Sequence, residues 1–381
     1  MRRRGRRTGA ATGALLLGVL LAGCGEDGYE PAGPFRPVPE DPPPQVGPPT
    51  ESGRPPAPGD PADPNSGEDG GDPNVVASGL TVPTGLVVLP DGTAVVGERD
   101  SGRLLQVFPD RSPAVELMTV PGIDTAGDGG LLGLALSPTF DEDGLFYAYV
   151  STATDNRVVR FPLGSTPNPV FTGIPRGEVH NGGGLVFGPD GTLYVGTGDT
   201  GNPALAQDPA SLAGKVLHVD VFGQPVGAGP VHSRGHSDVT ALCPAGDEAL
   251  FATDEASQGA DALDRVVAGG DSGPRGTAPV VEIPGELGGL GGCAVSGRTV
   301  FLGAMDGRRV HVVQLDGSGV PTGEPTEFLT DRYGRLRTVV QDGDGALWIT
   351  TSNRDGLGTP VEEDDRVLRI LAPAGSADSP L

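Results

Sequence analysis

The residues best suited to chemistry lie in Gly177-Glu178-Val179-His180-Asn181-Gly182-Gly183-Gly184, with Asp199 following in Gly196-Thr197-Gly198-Asp199. An imidazole titrates near neutral pH and can take a proton from a substrate hydroxyl; a carboxylate bonded to its other nitrogen fixes the tautomer and strengthens the base. Glycines 182, 183 and 184 would let a flat ligand approach the backbone. Asp128, His236 and Arg335 with Arg337 stand before comparable apolar runs elsewhere in the chain. By residue type alone, the same stretch also fits a solvated loop histidine with glycines that serve only a turn.

These residues need a scaffold that gathers them, and the sequence repeats one supersecondary phrase that can do so. An apolar run, a tight turn and a second apolar run begin at residues 85, 133, 184, 241, 293 and 339, a spacing of about fifty residues. Turns such as Pro90-Asp91-Gly92, Pro189-Asp190-Gly191 and Gly343-Asp344-Gly345 join the runs as antiparallel hairpins. Further strand-like runs follow, at 157–161, 216–220 and 310–315. A fixed period of this length made of strands predicts an all-β, six-bladed β-propeller of four-stranded antiparallel blades. A β-sandwich with similar hairpins is the competing fold. In a propeller the loops entering the innermost strands share one mouth of the channel, so Asp128, His180, His236, Arg335 and Arg337 are expected to meet there. Asp199 ends the second strand of the blade that His180 opens, and returns to the same end.

Composition agrees with short strands and tight turns: 64 glycines and 39 prolines among 381 residues, with only 4% aromatics. The formal net charge of -24 repels nucleic acid and anionic lipid, which excludes both as partners. The first residues carry Arg2, Arg3, Arg4, Arg6 and Arg7 and a short apolar run at 14–21, too short to span a bilayer, so residues 1–23 read as a secretory signal. Residues 24–73 form a Pro-, Gly- and acid-rich linker, a stalk of roughly 40 Å end to end. The propeller is expected over residues 74–372, with a tail at 373–381. Cys243 and Cys293, in neighbouring repeats, are either a disulfide between blades or two buried thiols.

Leu21-Ala22-Gly23-Cys24 resembles a bacterial lipobox, which implies lipidation of Cys24 and an extracytoplasmic protein anchored to the cell membrane only by that lipid. Residues 76–371 resemble the soluble glucose and sorbosone dehydrogenases. The carriers are Gly79-Leu80-Thr81-Val82-Pro83, Glu98-Arg99-Asp100-Ser101-Gly102-Arg103-Leu104, Gly129-Gly130-Leu131-Leu132-Gly133-Leu134-Ala135, His180-Asn181-Gly182-Gly183, Gly196-Thr197-Gly198-Asp199, Leu212-Ala213-Gly214-Lys215-Val216-Leu217 and Gly334-Arg335-Leu336-Arg337. The resemblance implies a monomeric enzyme that oxidises an aldose sugar at its anomeric carbon with pyrroloquinoline quinone (PQQ) and calcium. It implies His180 as base, Asp199 as its orienting partner, and Asp128, Asn181, Arg335 and Arg337 at the cofactor. The chain also departs from the family. Ser237 and Asp238 replace a cofactor-binding Arg and Asn, Asp306 falls near a family Lys, and Asp128 stands where relatives have Gln or Glu. Each lost charged hydrogen bond to a carboxylate of PQQ costs about 1–3 kcal/mol. Two other classes of function are therefore carried forward: a propeller that has lost its cofactor and binds a glycan or protein, and a calcium-dependent lactone hydrolase.

Overall fold

The computed structural model describes residues 71–246, 249–256 and 258–372; the signal, Cys24, most of the linker and the tail lie outside them. Six antiparallel sheets of four strands are arranged as the blades of a propeller, and helix is confined to short turns such as Pro203–Gln207. The innermost strands are Pro83–Val88, Leu131–Leu136, Leu185–Phe187, Val239–Ala245, Leu290–Ser296 and Leu336–Gln341, which open blades 1 to 6. The hairpins form where the turn chemistry demands: Leu86 pairs with Val96, Leu134 with Ala148 and Val186 with Tyr194. Asp91 and Asp190 each fold back onto the backbone of the residue two positions on, which closes those turns.

Blade 6 is closed by the start of the domain: Val75–Ala77 pairs antiparallel with Val367–Leu371. That joint makes the first strand of the domain the outer strand of the last blade and so ties the ends of the domain together. Blade 3 takes a fifth strand, Gly270–Asp271, which comes from the segment between the third and fourth strands of blade 4, Ala260–Val266 and Val281–Pro284, and runs parallel to Val231–Arg234. Between blades 4 and 5, Cys243 and Cys293 are joined as a disulfide with Cα atoms 6.0 Å apart.

The core is not one mass but a set of clusters between adjacent blades. Leu104, Leu131, Phe146 and Phe161 pack between blades 1 and 2, and Leu132, Tyr147, Tyr149, Leu193 and Leu217 between blades 2 and 3. Aliphatic residues predominate, so low aromatic content does not limit the fold. Each cluster locks the angle between two blades, which fixes the positions of the loops above them.

Candidate functional site

One construction recurs at the same end of several blades. A side chain at the end of the second strand bonds to the loop that enters the first strand. In blade 1, Glu98 accepts from the Thr81 amide at 2.9 Å, and in blade 6 Asn353 accepts from the Arg335 amide at 2.8 Å. In blade 4, Asp254 accepts from the amides of Ser237 and Asp238 at 2.8 and 2.7 Å. Blade 3 uses the position differently: Asp199 Oδ1 lies 2.8 Å from His180 Nδ1.

His180 is held on three sides. Its amide donates to Asp128 Oδ2 at 2.7 Å, its carbonyl accepts from the Thr200 amide at 3.2 Å, and its ring meets Asp199. The backbone there is left-handed, with φ of 56°, a conformation that an L residue keeps only when its surroundings enforce it. Asn181 contributes to that enforcement. Its side chain bonds to Asp128, to Gly177 and to Asn156, and its carbonyl accepts from the Tyr149 hydroxyl at 2.7 Å. Behind Asp199, the loop is pinned by Lys215, whose Nζ donates to the carbonyls of Leu205, Ala206 and Ala213 at 2.7–2.8 Å.

The mouth is a cavity of about 400 Å³ lined by Arg99, Asp128, His180, Asn181, Asp238, Glu255, Arg335, Arg337 and Asp355 together with Val179, Met305 and Leu357. Its basic and acidic groups come mostly from different blades, with Asp355 on the arginine side paired to Arg335. Arg99, Arg335 and Arg337 come from blades 1 and 6; Asp128, Asp238 and Glu255 come from the loops of blades 2 and 4, beside His180. Among the described residues Arg337 makes no ion pair, and its guanidinium touches only the Met305 sulfur, at 3.6 Å. Arg335 is already engaged by Asp355 at 2.8 Å and by Asp306.

The hydrogen bond that Asp199 accepts from the ring, helped by the charges of Asp238 and Glu255, raises His180 to about 9. Burial, then the charges of Glu255 and Asp128, push Asp238 well above the carboxylate range. Burial and Asp261 carry Glu255 up to about 7, against the pull of Arg337. Burial and the nearby Arg99 lower Arg337 from its usual value. Burial thus disfavours charge on Asp238, Glu255 and Arg337 alike, and a ligand of the opposite sign would favour it.

Asp128, His180, Asn181, Arg335 and Arg337 meet at one mouth, with Asp199 behind His180. His236 does not join them. It is 1% exposed, with Nε2 on Ser233 Oγ at 2.8 Å and Nδ1 facing Asp254 and Asp264 at 3.2 and 3.4 Å. Burial opposes its charging, but the bonds from Asp254 and Asp264 prevail and raise it to about 9. The glycines also serve another purpose than ligand approach. A Cβ on Gly182 would meet the Gly196 carbonyl oxygen at 2.6 Å, and one on Gly183 would meet Leu132 Cβ at 2.9 Å. They allow strands of the same and neighbouring blades to close together. Arg99, Glu255 and Asp355 were not singled out as site residues from sequence. Arg99 and Asp355 sit just past second strands, as Asp199 does, and that register was the available signal.

The family model for glucose/sorbosone dehydrogenases matches residues 80–277 and 296–359. The PQQ-bound form of an aldose sugar dehydrogenase from Streptomyces coelicolor superposes with a TM-score of 0.75 at 37% identity, covering 78% of this chain and 96% of that one. Quinoprotein glucose dehydrogenase B of Acinetobacter calcoaceticus is 26% identical over 249 residues, which is 53% of this chain but only 52% of that protein's length. Aldose sugar dehydrogenase YliI of Escherichia coli is 24% identical over 338 residues, covering 74% of this chain and 90% of that protein.

Proposed function

The chain belongs to the glucose/sorbosone dehydrogenase family, and from that premise we propose that it is a PQQ-dependent dehydrogenase that oxidises an aldose at the anomeric carbon. The observation that carries this reading is the His180–Asp199 pair at the channel mouth. His180 Nε2 has no hydrogen-bond partner among the described residues and belongs to a residue that lines the cavity, so it is available to a hydroxyl proton. Asp199 holds the imidazole by Nδ1 and stabilises the imidazolium once the proton arrives.

The arginine wall fits the cofactor's charge. PQQ is a flat tricarboxylate, and Arg337, cationic and without an ion pair, is the group most in need of a carboxylate. Arg99 and Arg335 flank it, although Arg335 must share its guanidinium with Asp306 and Asp355. When bound, the quinone supplies the two-electron acceptor for a hydride leaving the anomeric carbon. His180 takes the hydroxyl proton as that hydride leaves, so the sugar becomes a lactone. Arg337 and Arg335 would hold carboxylates of the cofactor; Asp128 and Asn181 contribute by bonding to the His180 loop and to each other.

Calcium fits less well. Among the described residues, the one trio of His, Cys or carboxylate side chains converging within 4.8 Å is the buried His236, Asp254 and Asp264, away from the cavity lining. The side chains at the mouth do not by themselves form a calcium site among the described residues.

The lipobox-like Leu21–Ala22–Gly23–Cys24 and the acidic linker support display outside the cytoplasmic membrane on a lipid tether. Titration of the protein with PQQ, with and without calcium, followed by dye reduction over a panel of aldoses, tests the reading. Micromolar binding with sugar-dependent turnover is expected; absence of binding would remove the dehydrogenase assignment and leave a sugar- or protein-binding propeller.

A further inference from the structure

The acidic wall is larger than a neutral sugar requires. Hydroxyls are recognised by single hydrogen bonds to carboxylates or amides, and one ionised acid suffices for several of them. Here three acids from two blades, Asp128, Asp238 and Glu255, share the wall beside His180. Asp238 is 6% exposed; Oδ1 accepts from the Gly182 amide at 2.6 Å, and Oδ2 has no partner among the described residues. The Glu255 carboxylate likewise makes no hydrogen bond among them. Two carboxylates with free oxygens are thus held against a cavity in a chain whose overall charge is -24.

Two kinds of cation would satisfy such a wall. A bare metal ion needs ligand atoms gathered around one point, and these three acids do not form such a group among the described residues. An ammonium group carried on a larger molecule has no such demand, because it takes its acceptors singly and the rest of the molecule fills the space. The location is also informative. Asp128 bonds to the His180 amide and Asp238 to the Gly182 amide, so both acids flank the imidazole rather than the distal end of the cavity. A positive charge placed there lies next to the carbon whose hydroxyl His180 addresses.

Resting on the dehydrogenase reading, we propose that this site selects a 2-amino-2-deoxyaldose, with its ammonium group bound by Asp238 and Glu255 and its anomeric hydroxyl on His180. Burial holds Asp238 and Glu255 above the usual carboxylate value, and an ammonium between them favours their ionised forms. The surface field of an acidic protein also draws a cationic sugar toward the mouth.

Calorimetric titration of the full-length protein at neutral pH with glucosamine, glucose and N-acetylglucosamine tests this without requiring turnover. Glucosamine is expected to bind at least about tenfold more tightly than either neutral sugar, a difference of about 1.4 kcal/mol, with the advantage shrinking as salt is added. Glu255→Gln, checked for native thermal stability, should lower the affinity for glucosamine by more than it changes that for either neutral sugar, removing most of the advantage. Equal affinities, no binding of glucosamine in the millimolar range, or an advantage untouched by Glu255→Gln would each overturn the proposal. The PQQ-loaded protein separates the two readings. Preferential binding of glucosamine without oxidation of any sugar would remove the dehydrogenase assignment alone. Oxidation of glucose with kcat/KM equal to or above that of glucosamine would remove the amino-sugar assignment alone.

Discussion

Blades 3 and 4 carry the same device and put it to opposite uses. In each, a histidine in the loop before the first strand meets an aspartate at the end of the second: His180 with Asp199, His236 with Asp254. Both imidazoles are raised to about 9. The difference lies at the other nitrogen. His236 Nε2 is occupied by Ser233, a second acid, Asp264, shares Nδ1, and the ring is sealed from solvent. His180 Nε2 is left open on a cavity. Here one His–Asp pair is closed off as a structural clamp, while the other has space beside it for a ligand.

The sharpest way to break this comparison is to remove each histidine. In the PQQ-loaded protein, His180→Gln should lower kcat by about 10²–10⁴ while the melting temperature and PQQ affinity hold; preserved turnover would refute its role as base. His236→Gln should do the reverse, because it leaves Asp254 and Asp264 as buried uncompensated charges at a cost of about 3–5 kcal/mol. A His236→Gln protein with native stability but lost turnover would show that the clamp is part of the chemistry.

Smaller effects sharpen the picture. Reducing the Cys243–Cys293 bond, which closes a loop of sequence separation 50, should lower unfolding stability by about 2–4 kcal/mol in denaturant titration and leave sugar oxidation intact in the folded fraction. Arg337→Ala should weaken PQQ binding by about 1.5–3 kcal/mol, read directly by titration, with less effect on the sugar KM.

The pH dependence follows from the raised histidines. A base must be neutral, so kcat should climb with pH toward about 9 and then level off. Asp199→Asn removes the negative charge from the hydrogen bond that raises His180, so the rising limb should move to lower pH even as its plateau falls. For stability the sign is fixed by the folded value lying above the unfolded one. The pairs of His180 and His236 contribute fully below about 6.5 and lose that contribution as pH rises through about 9. Glu255, raised to about 7, adds a loss that begins at lower pH. Denaturant midpoints measured from pH 5 to 9 should therefore fall; a rise would contradict the protonated pairs.

The six hairpin phrases declare the propeller because strand alternation and turn chemistry are local, and a period near fifty residues leaves few closed arrangements. The pairing of His180 with Asp199 was legible for the same reason, since both belong to one blade and its register returns them to the same end. What sequence did not disclose depends on neighbours from other blades. Ser233 and Asp264 enclose His236, although its position in the repeat matches that of His180. Gly182 and Gly183 are filled against Gly196 and Leu132 rather than left open to a ligand. Glu255 and Asp238 join the wall beside His180 only because blade 4 packs against blade 3, and Arg99 faces Arg337 only because blade 1 closes against blade 6. Local periodicity determined the blades, while closure of the ring decided which polar groups share a cavity and which are buried, because exposure and electrostatic field depend on distances between residues that the sequence leaves far apart.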